Sequence, residues 1–299
     1  MFEHLQASAQ ILAMQSPAER LAKFSISHWI GYSRANEILE QIETLMTNEP
    51  GKTRPQNLLI IAPSNNGKTM LAEKFCRSHP RGITANKEYE DIPVLMIQMP
   101  ASATISRIYT AFLLALGSPV GANYSRLNVC EMLTLKLMRE VGVRVIIIDE
   151  LHNLLDANAQ RQREILSFIR FLGNELRIPI VGMGIRDAYL AIRSDNQLEN
   201  RFHPRTLPKW EYNEEFVRLL ATFESVIPLR EPSGIADEPL CELILRHSEG
   251  TIGEIVSLLN HAVRTALRIG EERISISILK SSTYKSPSIR SRLVEKELC

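Results

Sequence analysis

The chain has 299 residues, 44% of them hydrophobic and 23% charged, a composition that excludes a disordered or fibrous protein and allows one large α/β domain with a smaller appendage. Thirty-five Lys and Arg face 34 Asp and Glu for a formal net charge of +1, so no bulk positive charge advertises nucleic acid and any DNA contact must come from a local surface. No apolar run approaches the roughly 20 residues of a membrane span, no basic-then-apolar leader is seen, and Cys76, Cys130, Cys241 and Cys299 show neither a disulfide framework nor zinc-ligand spacing, so a cytoplasmic protein is expected.

Residues 1–33 read as an N-terminal extension that ends in the cluster His28, Trp29, Ile30, Gly31 and Tyr32. A helical pattern from Ala35 to Met46 follows, with Ser33 or Asn36 able to cap it, and a loop rich in Asn, Pro, Gly and Lys breaks it before the apolar run Leu58 to Ala62. That run predicts a strand, and Met70 to Arg77 predicts the helix after it. Strands are then predicted at 92–99, 143–148 and 178–181, with helices at 105–116, 127–141 and 161–176 between them. Such alternation predicts a parallel, doubly wound sheet that binds ligands outside the carboxyl ends of its strands. Beyond about Trp210 the pattern turns helical, around Phe216 to Phe223, Leu240 to Leu245 and Ile255 to Leu267. The expected organisation is therefore an α/β nucleotide-binding domain over 34–210, a small helical lid over 211–283 and a mobile basic tail over 284–299.

Between the first strand and its helix stands Ala62-Pro63-Ser64-Asn65-Asn66-Gly67-Lys68-Thr69-Met70. Only the first position departs from the G-x-x-x-x-G-K-[ST] phosphate loop. The physics needs a turn of backbone amides, a helix N-terminus and a lysine: Gly67 allows close approach, Lys68 reaches the β and γ phosphates, and the Thr69 hydroxyl ligates Mg²⁺. Roughly 80 residues later the strand Val145 to Ile148 ends in Asp149 and Glu150, where Asp149 is expected to hold Mg²⁺ and Glu150 to polarise an attacking water. Ordinary-turn readings of either segment weaken when both occur together. Together they predict a P-loop NTPase using ATP and Mg²⁺. Arg201, in Glu199-Asn200-Arg201-Phe202, is the candidate for an arginine projected into a neighbouring subunit's site; a surface pair with Glu199 is the plainer alternative, and Arg193 or Arg205 are the other choices.

These residues resemble the TniB and TnsC type ATPases of bacterial transposons, AAA+ relatives of the target-capture protein MuB. The resemblance is carried by His28-Trp29-Ile30-Gly31-Tyr32, Asn65-Asn66-Gly67-Lys68-Thr69 and Ile147-Ile148-Asp149-Glu150-Leu151-His152. Further segments are Ile178-Pro179-Ile180-Val181-Gly182-Met183-Gly184, Leu198-Glu199-Asn200-Arg201-Phe202 and Glu249-Gly250-Thr251-Ile252-Gly253-Glu254. The likeness implies an AAA+ fold and an ATP-dependent regulator that forms a ring or helical filament on double-stranded DNA. Such a regulator recruits or activates a separate transposase, with a target-selection protein as a candidate further partner, without cutting DNA itself. It also implies that the nucleotide base lies near Trp29, Ile30 and Tyr32, unless these only pack the core. By the same likeness, DNA is expected at Ser102, Thr104, Ser106 and Arg107, by phosphate contacts that position without reading sequence. Ala62, Ile185 and Glu254, the last standing where many AAA+ lids present an arginine, depart from the pattern and predict slow turnover. The basic tail, with Lys285, Arg290, Arg292 and Lys296, is a candidate contact for DNA or transposase, a solvated tail being the alternative.

A helicase loader or replication initiator shares the same ATP site and is the nearest rival reading. A nucleotide-switched scaffold that binds protein rather than DNA is the rival from another class, and a small-molecule kinase lacks a recognisable lid of phosphate-binding arginines.

Overall fold

The computed structural model describes residues 2–25, 29–83, 90–118 and 126–298; His28, part of the quoted resemblance, lies outside them. By its internal contacts the chain divides into two units, one of residues 34–64 and 68–207 and the other of residues 1–33, 65–67 and 208–299. No helix among the described residues is long and apolar enough to cross a membrane.

The first unit is an α/β layer structure. Helix α3 (Ser33–Asn48) leads into strand β1 (Asn57–Ile61), and α4 (Lys68–Ser78) follows the phosphate loop. After a short antiparallel ribbon, β2 (Gly82–Ile83) and β3 (Glu90–Asp91), come β4 (Val94–Gln98), α5 (Ile105–Ala115) and α6 (Leu127–Glu140). Strand β5 (Val145–Asp149) runs into a 3₁₀ turn at Leu151–Asp156, then α7 (Ala159–Leu176), β6 (Ile180–Gly184), α8 (Arg186–Arg193), α9 (Asn196–Glu199) and β7 (Phe202–Thr206). Five strands form a parallel sheet in the order β4-β5-β6-β1-β7. Every residue of β5 and β6 is buried, as expected of strands covered on both faces. Leu59, Ile146, Ile148, Ile169 and Phe202 share one core with the helices that flank the sheet.

Local chemistry fixes the register. Buried Asn57 donates its backbone N–H to the Arg201 carbonyl (2.9 Å) and accepts the Ile180 N–H on its side chain (2.8 Å), so one residue ties the starts of β1, β6 and β7. At Gly182 a Cβ would fall 2.8 Å from Leu151 and 3.2 Å from Leu59, so any larger residue there must push those leucine methyls aside. Strand β7 is exposed at four of its five residues and holds Pro204, so it lacks the apolar run that marks the other strands. Because the Arg201 carbonyl and the Leu207 N–H both bond to the β1 side, the alternation of a strand turns Pro204 outward, where a missing N–H breaks no ladder bond. The outward Thr206 carbonyl accepts from Arg34 Nε at 3.2 Å.

The second unit is helical. Helices α1 (Ala7–Ala13) and α2 (Pro17–Lys23) belong to it, with α2 opened by a capping box between Ser16 and Glu19 and by Pro17. Helices α10 (Glu214–Val226), α11 (Leu240–Ser248), α12 (Ile252–Ile269), α13 (Ile276–Ser281) and α14 (Pro287–Leu298) complete it. The apolar faces of α10, α11 and α12 meet in a core around Phe216, Phe223, Ile244, Leu258 and Val263, to which Phe24 and Ile30 of the N-terminal segment also belong. Arg20 of α2 is fully buried and binds Glu272 through two nitrogens, at 2.7 and 2.6 Å, and the Pro228 carbonyl at 3.0 Å. Residues 284–298, expected as a mobile tail, carry α14, whose first turn is tied to Glu249 by the Ser288 N–H (2.9 Å) and hydroxyl (2.6 Å).

Candidate functional site

In the α/β unit the loop after β1 delivers Lys68 and Thr69 to the start of α4, and β5 delivers Asp149 to its carboxyl end. The Thr69 hydroxyl donates to Asp149 Oδ2 at 2.6 Å, across 80 residues of sequence. Asp149 is buried, and its other oxygen accepts the Glu150 N–H at 2.8 Å. Lys68 is buried too, folded back so that Nζ donates to the carbonyls of Ala62 (3.1 Å) and Pro63 (3.0 Å). Burial pushes its ammonium below the ordinary lysine pKa, while Glu150 and Asp149 pull the other way. A cation with two neutral carbonyl partners beside two carboxylates is poised to move onto a stronger anion.

Glu150 stands in the left-handed region at φ 52°, a conformation that costs a non-glycine residue energy and is found where function fixes the backbone. Its carboxylate meets His152 Nε2 at 3.1 Å, and the buried His152 Nδ1 has no hydrogen-bond partner. The tautomer that fits carries its proton on Nε2 and donates to Glu150, because a bare buried acceptor costs less than a bare buried N–H. His152 was present in the quoted Asp-Glu-Leu-His segment, yet its role is visible only once the 3₁₀ turn folds it back.

The apex of the phosphate loop belongs by its contacts to the helical unit. Asn65 and Gly67 have φ of 58° and 84°, positive values of the kind that nests of successive backbone amides use. The Gly253 N–H at the start of α12 donates to the Asn65 carbonyl (3.1 Å), the Ile252 N–H to Asn66 Oδ1 (3.2 Å), and Asn66 Nδ2 to the Pro208 carbonyl (2.9 Å). Asn65 Nδ2 donates to Glu254 Oε1 at 3.1 Å. Buried Glu254 also accepts Arg290 Nη2 on Oε1 (2.7 Å) and the Tyr284 hydroxyl on Oε2 (2.8 Å). Burial and this bond push the Tyr284 phenol well above its ordinary pKa. Neither Tyr284 nor Arg290 was expected at the loop; the basic run of the tail marked Arg290 as a candidate contact for DNA or transposase, or as a solvated charge. Ser64 and Met70 are exposed. Of the residues expected near the base, Ile30 is buried in the helical core, Trp29 is half-buried, and the Tyr32 ring meets Trp210 edge-on at 4.9 Å. Burial pushes the Tyr32 phenol up to about 12.

Arg201 donates from Nη1 to Asn174 Oδ1 at 2.7 Å. Glu199 instead pairs with Arg193, at 3.0 Å, and Arg193 also lies over the Tyr189 ring. Burial, then the neighbouring Arg54 and Arg170, hold the Arg201 guanidinium below its ordinary pKa. Arg205 bonds to Gln41 Oε1 (2.8 Å) and lines a cleft of about 980 Å³ with Arg34 and Arg186. The residues expected to meet DNA form one turn at the head of α5: Thr104 caps it by accepting the Arg107 N–H (3.3 Å), and Arg107 Nη1 returns to the Ser102 carbonyl (3.2 Å). Ser102, Ser106 and Arg107 are exposed.

The family model for the bacterial TniB protein matches residues 20–212. None of the curated proteins matches the chain. Among solved structures, Aeropyrum pernix ORC2 in its ADPNP-ADP complexes is similar with a TM-score of 0.64 and 13% identity, covering 91% of this chain and 73% of that one. Aeropyrum pernix ORC1 in complex with DNA gives 0.59 and 17%, covering 95% and 69%. The Thermotoga maritima RuvB Holliday junction branch migration motor gives 0.52 and 18%, covering 87% and 71%. At such identities these likenesses speak for the fold alone, a parallel AAA+ sheet with a helical region after it. The match over residues 20–212 and this architecture together make the chain a member of the TniB family with the AAA+ fold.

Proposed function

We propose that this protein binds ATP with Mg²⁺ at the loop 62–69, assembles on double-stranded DNA in that state, and recruits or activates a separate transposase. The observation that carries the nucleotide reading is the 2.6 Å contact of Thr69 Oγ1 with Asp149 Oδ2 beside Lys68. A hydroxyl and a carboxylate are hard oxygen donors of the kind Mg²⁺ takes, while phosphate and water supply its remaining ligands. Lys68 neutralises the phosphates, and Glu150, steered by His152, takes the position of the base that polarises water. Arg201, crowded by Arg54 and Arg170, gains by meeting an anion, which suits it to the phosphates of an adjacent copy.

The transposition reading is supported by membership of the TniB family. The exposed turn at Ser102, Ser106 and Arg107 offers hydroxyls and one guanidinium per subunit, weak singly and additive along an assembly. The test is electron microscopy of the protein with duplex DNA and a non-hydrolysable ATP analogue. Rings or filaments that need both ligands are expected. Monomers under every condition rule the reading out, and assemblies that form with nucleotide but ignore DNA favour the nucleotide-switched scaffold.

A further inference from the structure

The apex of the phosphate loop contains an electrostatic conflict. Glu254 places a buried carboxylate on the side chain of Asn65, where the proposed ATP would bring several negative charges. Like charges brought close together disfavour binding in a partly buried setting. The structure also holds the remedy. Arg290 of α14 donates to the same Oε1 atom that Asn65 occupies, so its guanidinium lies no farther from the loop amide than those two bonds laid end to end. Its side chain is half-exposed, within reach of a ligand from solvent. Glu254 keeps a separate anchor in the Tyr284 hydroxyl on Oε2 and does not need Arg290 to remain bonded.

Resting on the ATP reading above, we infer that Arg290 is a nucleotide-phosphate ligand delivered by the C-terminal helix, held by Glu254 until ATP arrives and then shared with or passed to the phosphates. A guanidinium binds phosphate at least as well as carboxylate and offers several donors in one plane. A guanidinium lying between the two anions offsets the repulsion between Glu254 and the ligand, and its movement makes the position of α14 depend on whether the loop is filled. Another tie of that helix, Ser288 on Glu249, does not involve the loop.

Affinity for a non-hydrolysable ATP analogue, measured by calorimetry on the full chain, separates this role from a plain structural clamp. Arg290→Ala is expected to weaken binding roughly tenfold or more, the loss of one charge-assisted hydrogen bond, and Arg290→Lys to recover part of it. Glu254→Gln keeps an acceptor for Asn65 and turns an N–H donor toward the Tyr284 hydroxyl oxygen while removing the charge, so it is expected to bind as tightly as the parent or more tightly. A clamp that merely fixes α14 predicts that both changes weaken binding together. The inference is overturned if Arg290→Ala binds like the parent, or if Glu254→Gln weakens alongside it. A parent chain that takes no ATP, or a Lys68→Ala chain that takes it equally well, overturns the nucleotide reading itself and this inference with it.

Discussion

Two neighbouring acids at the end of β5 have different surroundings and so different expected roles. Asp149 is buried and fixed on both oxygens by Thr69 and its own neighbour's amide, whereas Glu150 is partly exposed and touched by His152. Glu150→Gln is therefore expected to keep ATP affinity and to lose turnover by a factor on the order of 10²–10⁴, read by phosphate release. Lys68→Ala should lose affinity itself, read by nucleotide titration. If Glu150→Gln turns over ATP like the parent, the assignment of the water-polarising group is wrong. The Gly-Lys-Thr turn and the Asp-Glu pair were legible in sequence because their chemistry is written in adjacent residues. His152, Tyr284 and Arg290 were not, since each reaches its partner only through a turn or a long return of the chain. Even where the residue was quoted, as with Glu254, sequence gave its departure from the AAA+ pattern without the cation that answers it.

Among the elements, α2 is tied to the helical unit by an ion pair whose arginine is fully buried and whose glutamate is partly buried. Arg20's hydrogen bonds keep the Glu272 carboxyl below its ordinary value of 4.5. A carboxyl depressed in the folded chain stabilises fully above the unfolded value, and that contribution is lost as pH falls through the lower folded value. Glu272→Ala leaves Arg20 buried without its anion, so it is expected to cost about 3 kcal/mol at neutral pH, read from the urea midpoint. The difference from the parent should shrink below about pH 4, and a difference that persists in strong acid would refute the pairing as its source. The strands with continuous apolar runs were legible, as were the helices with 3.6-residue periodicity. Strand β7 was not, because its exposed residues and Pro204 erase the pattern that buried strands share. Helix α14 has no buried residue, and its attachment rests on polar bonds from Glu249 and Glu254 that periodicity cannot report.

For the molecule as a whole, the proposed assembly makes a demand that no single copy can meet: Arg201 must act on another chain's nucleotide. Mixing Arg201→Ala with Glu150→Gln, each inactive alone, is expected to restore a measurable fraction of DNA-stimulated ATP turnover, since some junctions then combine an intact Glu150 with an intact Arg201. Mixtures as silent as their components would place Arg201 outside the reaction. The doubly wound class could be anticipated from the alternation of elements and the nucleotide loop from its motif, whereas the pattern of copies in an assembly could not, being a property of surfaces. One border of the sheet already constrains that pattern. A guest strand brought alongside β7 would find a pyrrolidine ring where a donor should be, and the carbonyl two places on already claimed by a guanidinium. Continuous sheets running from copy to copy are barred on that side, so neighbours that gather there must recognise one another through side chains, whose contacts can be undone without unravelling either fold.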